Sequence, residues 1–177
     1  MSDALQALYA GDVEKAHELL GADAELSVFD AAAFGRVERL EAILDEDSSQ
    51  VASLSDDGFT ALHLAVFAAQ ARSAQALIDH GADVNVLSAG DIARVPPLGT
   101  AAFARSVPLA RLLLDAGADV NGRADGGFTA LHSAAQNGDE ELIRLLLERG
   151  ADPGLTAADG RRAADFAAND GVRSLLG

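Results

Sequence analysis

The chain has 177 residues, of which 49% are hydrophobic, 5% are aromatic and none is cysteine, and its formal net charge is −15. The hydrophobic content is high enough for a folded core, and the lack of cysteine excludes disulfides, cysteine-ligated zinc and thiol chemistry. A charge this negative repels nucleic-acid phosphates and anionic membranes, so we expect neither as a partner.

We expect a cytoplasmic protein. The first five residues lack the basic and apolar regions of a signal peptide, and no stretch approaches the ~20 apolar residues of a membrane span. Lys15 is the only lysine beside twelve arginines, which, with the many alanines, is typical of a GC-rich bacterial genome.

The first two helix pairs are predicted from the pattern of apolar residues alone. In a repeat that begins near residue 2, GDVE at residues 11–14 leads to Leu19 and Leu20. In a repeat that begins near residue 26, GRVE at residues 35–38 leads to Ile43 and Leu44 at the same spacing. The polar second helix of the first repeat suits an end cap.

The later repeats carry two motifs at a fixed spacing. TALH at residues 60–63 recurs at 129–132, and GADVN at 81–85 recurs at 117–121 and, weakened, as GADP at 150–153. Counting back from Gly117 by the spacing of the complete copies places a repeat start at Pro96, and GRRAAD at 160–165 opens a last repeat. We predict one domain over residues 1–177, with repeats that start near residues 2, 26, 60, 96, 129 and 162.

Each repeat has the pattern of a short Ala-rich helix, a turn and a more apolar helix. Leucines and isoleucines at spacings of three and four in residues 142–147 mark one buried helix face. Gly81, Gly117 and Gly150 follow second helices, where a left-handed residue is favoured. Pro108 suits the first turn of a second helix.

A period of about 33 residues with these two motifs resembles the ankyrin repeat. The resemblance covers nearly the whole chain. It implies an all-α solenoid of about six helix-turn-helix units with short β-hairpin fingers and truncated amino- and carboxy-terminal caps, here as a stand-alone array. The second repeat lacks both motifs, and three extra residues within 86–95 predict an enlarged finger.

The resemblance also implies roles for two Thr–His pairs. Thr60 with His63 and Thr129 with His132 would form hydrogen bonds between neighbouring repeats, which is a structural role. The two histidines lie two repeats apart, a separation of about 20 Å, so they cannot share a metal ion. We expect no catalytic residue, metal or cofactor.

Aromatic side chains recur at two positions that the family turns toward its concave groove. Phe59 and Phe128 directly precede the Thr position, whereas Tyr9, Phe67 and Phe103 lie seven residues after the start of their repeats. Aromatic anchors dominate many interfaces, but these rings could also fold inward against the Ala-rich helices. Near the same face, Arg94 and Arg123 could contact a carboxylate of a partner or simply be solvated.

These observations predict a monomeric module that binds another protein through the groove and fingers, as an adaptor, an inhibitor or an assembly factor, and that is not an enzyme. One alternative is a structural repeat protein that self-associates through its abbreviated carboxy-terminal cap. Another is a small-ligand binder or enzyme, which a deep pocket with convergent polar groups would indicate.

Overall fold

The structure is a computed structural model that describes residues 1–22, 25–90 and 94–177. These residues form short α-helices in pairs, in agreement with the predicted all-α repeat fold. The helices are α1 (Asp3–Tyr9), α2 (Val13–Glu18), α3 (Val28–Ala33), α4 (Val37–Glu46), α5 (Ala61–Phe67), α6 (Ala71–Asp79), α7 (Pro97–Phe103), α8 (Val107–Asp115), α9 (Ala130–Asn137), α10 (Glu140–Glu148) and α11 (Asp170–Leu176).

Polar side chains set where many of these helices begin. The hydroxyls of Ser2, Ser27 and Thr60 accept hydrogen bonds from the backbone N–H three residues later, at 3.2, 3.1 and 3.4 Å. Asp12 and Asp139 do the same at α2 and α10. Such caps satisfy N–H groups that have no partner within the helix, and each stabilises the helix by about 1 kcal/mol.

The first compact unit comprises Met1–Asp83 and Ser88–Asp91. Within it α3 packs on α5 and α4 packs on α6, so first helices contact first helices and second helices contact second helices. Leu40, Leu44 and Leu77 are buried in this unit. No helix pair could bury its apolar face alone, and this stacking supplies the missing partner.

The second compact unit comprises Val84–Leu87 and Ile92–Gly177. Here α7 packs on α9 and α8 on α10, and α9 also packs on a 3-10 helix, Ala163–Phe166. That 3-10 helix and α11 form the last pair, so the first helix of the sixth repeat is a single tight turn. Leu109, Leu113 and Leu142 are buried in this unit.

Left-handed residues occur at a fixed place after the second helices. Gly81, Gly117 and Gly150 have φ angles of 86°, 92° and 89°, as the sequence predicted. Pro108 is the second residue of α8, where its missing N–H costs no hydrogen bond.

Short fingers precede several first helices. In two of them an isolated antiparallel bridge closes the finger, Leu54 with Thr60 and Thr156 with Arg162. Neighbouring fingers also pair through the backbone: the Ala158 N–H donates to the Gly126 carbonyl at 2.7 Å. Residues 91–93 of the predicted enlarged finger lie outside the described residues.

Candidate protein-binding surface

Both predicted Thr–His pairs are buried. The Thr60 hydroxyl lies 2.8 Å from Nδ1 of His63, and the Thr129 hydroxyl lies 2.9 Å from Nδ1 of His132. Nε2 of His132 lies 3.3 Å from the Arg161 backbone carbonyl in the next repeat, to which it donates. The His132 imidazole therefore links the fifth repeat to the sixth.

The hydrogen bonds of His132 favour its neutral form. The Thr129 backbone N–H donates to Nδ1 at 3.3 Å, so this nitrogen must keep its lone pair free. Burial lowers the pKa of His132, and the nearby Arg123 guanidinium lowers it further. The hydrogen bond to the Arg161 carbonyl raises this pKa but does not outweigh the effect of burial. Protonation would break the hydrogen bond from Thr129.

Two asparagines clamp successive repeats of the second unit. Oδ1 of Asn85 accepts from the Asp119 N–H at 2.7 Å, and its Nδ2 donates to the Gly117 carbonyl at 3.2 Å. Asn121 makes the same two bonds one repeat later, to the N–H of residue 152 and the carbonyl of residue 150, at 2.9 and 3.4 Å. Each clamp holds a turn that follows a second helix.

Phe128 lies in an aromatic cluster between two repeats rather than fully in solvent. Its half-buried ring is 4.9 Å from the ring of Phe166, edge to face, and 5.2 Å from the His132 ring. The Arg161 guanidinium stacks 4.0 Å above Phe166. Sequence reasoning missed Phe166, because no other repeat has an aromatic residue at that register.

The predicted aromatics of the first unit are half-buried, and two of them contact each other. The rings of Tyr9 and Phe67 meet edge to face at 5.5 Å, although they belong to the first and third repeats. Phe59 packs against the same buried cluster. The structure thus places Phe67 against Tyr9 of α1 and Phe59 against the buried cluster that contains Leu5. Each of the three rings is partly covered and partly accessible to solvent.

The helix pair α1–α2 lies against both α3 and α5. One buried cluster joins residues of the pair, such as Leu5 and Ala16, to Ala33, Phe34 and Leu64 of the second and third repeats. We call the surface formed by Ala33, Phe34, Phe59, Leu64 and Phe67 the first-helix face. The amino-terminal repeat therefore differs from the stacking of the later repeats, because it covers a face that belongs to two repeats at once.

Phe103 has the opposite environment. It is the last residue of α7, at the register that Phe67 occupies in α5, and its side chain is 69% exposed. The chain has eight phenylalanine and tyrosine residues, all within the described ranges, and Phe103 is the only one of them that is exposed. An apolar ring therefore faces solvent at a position where its counterpart is covered by a helix.

The two predicted arginines differ in what they contact. Arg123 is exposed, but its Nη1 donates to the Thr156 carbonyl at 3.0 Å, so it joins two fingers. Arg94 is exposed as well, and its backbone pairs with Asp125 through two hydrogen bonds, at 2.9 and 2.8 Å. Its position in a finger is fixed by that pairing, and its side chain extends into solvent.

The described residues contain neither a candidate metal site nor a candidate membrane-spanning helix. No group of three or more histidine, aspartate or glutamate side chains there could hold a metal ion. Among residues 1–22, 25–90 and 94–177, no helix has the length and apolar character that a membrane crossing requires. A shallow, open depression of about 390 Å³ lies beside α1 and α2, lined by Asp3, Gln6, Asp12 and Lys15 among others.

Comparison with known proteins agrees with the repeat architecture. A family model described as ankyrin repeats (3 copies) matches residues 4–88 and 90–157, which is most of the chain. A search of curated proteins found no match.

Proposed function

Because this chain belongs to the ankyrin-repeat family, whose members are generally protein–protein interaction modules, we propose that it binds a partner protein through the first-helix and finger surfaces of its repeats. In this role it acts as an adaptor, an inhibitor or an assembly factor, and not as an enzyme. In the second unit the contact residue is Phe103, supported by Arg94 of the adjoining finger.

The observation that carries the proposal is the exposure of Phe103. A single exposed apolar residue is ordinary on a protein surface. At this register, however, the counterpart Phe67 packs against Tyr9 of another helix. The position is thus suited to receive an aromatic side chain from a helix, and at Phe103 a partner would supply it. Burial of an exposed phenylalanine ring on binding contributes roughly 1.5–3 kcal/mol.

A pull-down from the native host tests this proposal. The full chain serves as bait beside Phe103→Ala and Arg111→Ala, which alters an exposed residue on α8 of the same repeat. We expect wild type and Arg111→Ala to capture the same protein, and Phe103→Ala to capture it at least about tenfold less well, as an anchor worth about 1.4 kcal/mol or more requires. Equal capture by all three proteins would reject the Phe103 surface.

Self-association is the alternative that the same observation favours, because an exposed ring can bury itself against a second copy. Sedimentation of wild type and Phe103→Ala at several concentrations separates the two functions. Partner binding predicts a monomer in both samples, whereas self-association predicts a wild-type dimer that Phe103→Ala weakens.

A further inference from the structure

We propose that the helix pair α1–α2 is a detachable occupant of the first-helix face, and that a partner displaces it with an amphipathic helix of the same chemistry. The required helix carries a leucine and an aromatic residue four positions apart, as Leu5 and Tyr9 are in α1. This inference rests on the proposed function in one respect, that the faces of first helices are where partners bind.

The contacts of α1 are those of a ligand helix in a groove. Residues at positions i and i+4 share one face of a helix, and Leu5 and Tyr9 both point into the first unit. Leu5 is 2% exposed and lies in the cluster that contains Leu64, whereas the Tyr9 ring rests on Phe67. Two anchors on one helix face thus contact the first-helix face.

Polar contacts hold the amino-terminal end of α1. The Ser2 hydroxyl, which caps α1, donates to the Asp30 carboxylate on α3, and the Ser27 hydroxyl donates to the same carboxylate. The amino group of Met1 pairs with Asp56 in the finger that precedes α5. Because these contacts reach α3 and the finger before α5, the pair bridges two repeats, as an external helix laid across them would.

The Tyr9 hydroxyl lies close to a second residue of the same finger. It is buried beside the Asp57 carboxylate without a hydrogen bond of standard geometry to any described residue. Burial, and the interaction of the hydroxyl with that carboxylate, raise the pKa of Tyr9, so the hydroxyl keeps its proton and can donate it to Asp57. The pair therefore approaches the finger before α5 through Tyr9 as well as through Met1.

The second helix adds little to the attachment. Ala16 is the buried residue of α2. His17 is exposed, and the centroid of its ring lies 5.4 Å from that of Phe34. The other side chains of α2 face solvent. Both helices are also short, at seven and six residues, and such helices are not stable in isolation. The pair can therefore undock without breaking the contacts of α3 with α5 and of α4 with α6.

Hydrogen exchange on the full chain gives the first test. We expect residues 1–20 to exchange through an opening that leaves α3–α6 protected, since undocking removes none of the contacts among α3–α6. Leu5→Asp should accelerate exchange in residues 1–20 alone. Leu19→Asp is the matched control, because Leu19 is exposed at the end of α2, and it should leave exchange unchanged. Joint loss of protection in residues 1–20 and α3–α6 would overturn the proposal.

Binding of a labelled peptide with the sequence of residues 1–20 gives the second test. A short tether holds the natural pair at an effective concentration on the order of 1 mM, so a peptide with a Kd of about 0.1 mM for the vacant face should bind wild type about tenfold more weakly than Leu5→Asp.

Fluorescence anisotropy measures the affinity of wild type, Leu5→Asp and Leu19→Asp for that one peptide. Tighter binding to Leu5→Asp than to wild type and Leu19→Asp supports the inference. Equal affinity for all proteins, or no binding to a Leu5→Asp chain whose residues 1–20 exchange freely, refutes it. No external protein takes part in either test, so a negative result here leaves the Phe103 pull-down to be judged separately.

Discussion

The turn inside each of the first five helix pairs contains a left-handed residue, and two of these repeats provide it without glycine. The φ angles of Gly11, Gly35 and Gly138 at this position are 79°, 67° and 71°, and those of Ala69 and Arg105 are 57° and 56°. A side chain at such an angle costs roughly 1–2 kcal/mol, because its Cβ approaches the following carbonyl oxygen. The third and fourth repeats therefore carry strain that their neighbours lack.

Replacing Ala69 by glycine should remove this strain. The gain of about 1–2 kcal/mol is offset by the ~0.5–1 kcal/mol of extra chain entropy that glycine loses on folding, which leaves a stabilisation of about 0.5 kcal/mol. Ala69 is exposed, so no packing is lost. The reverse change, Gly138→Ala, should destabilise the protein by about 1 kcal/mol or more, because the added Cβ would also lie 3.2 Å from Cβ of Ala168.

Urea unfolding followed by circular dichroism measures both changes. Ala42→Gly is the control, because Ala42 is also exposed but lies in the interior of α4, and glycine there should cost up to about 1 kcal/mol. The same substitution thus has opposite signs at a left-handed and at a helical position. A destabilised Ala69→Gly, or equal effects of the two alanine-to-glycine changes, would refute the argument from backbone strain.

Three further outcomes follow from the structure. Asn121→Ala should lower the free energy of unfolding by about 1–2 kcal/mol, since two hydrogen bonds are lost, whereas the exposed Gln136→Ala should change it little; equal effects would rule out the clamp. Gly90→Ala should destabilise the chain by at least about 1–3 kcal/mol in the same urea assay, because the added Cβ would lie 2.2 Å from the Asp57 backbone oxygen. Gly21→Ala should be tolerated, since its Cβ would lie 3.7 Å from the nearest atom, in the Glu25 side chain. Because the pKa of His132 is lowered in the folded state, its neutral form stabilises the fold. This stabilisation is complete above the unfolded pKa of about 6.5 and is lost as the pH falls toward the folded pKa, so the stability difference between wild type and His132→Gln should shrink on acidification. An NMR titration that gives His132 a pKa at or above about 6.5 would contradict this prediction.

Much of the fold could be predicted because it depends on local chemistry that repeats along the chain. The turn glycines, the capping residues and Pro108 each report a backbone requirement that the residue itself satisfies. The spacing between Thr60 and Gly81 fixes the length of one helix pair, and its recurrence fixes the register of the others. Such signals survive in a single sequence, since each is complete within one repeat.

The environments of the aromatic residues could not be predicted in the same way. Phe67 and Phe103 occupy the same register on similar Ala-rich helices, yet one is covered and the other is exposed. The difference comes from Tyr9, more than fifty residues from Phe67, and periodicity does not encode which distant helix covers a face. The cluster around Phe166 was missed for a related reason, since its contacts form only between repeats.

The asparagine clamps have a consequence for how such a chain can grow. Asn85 and Asn121 lie 36 positions apart, and the side chain of each binds backbone atoms of the turn one repeat ahead. A tandem duplication of the segment between them would carry its own asparagine amide and its own turn, so the two hydrogen bonds of the clamp could form at the new junction. Gene duplication could therefore lengthen this array by whole modules without a compensating substitution at the new junction.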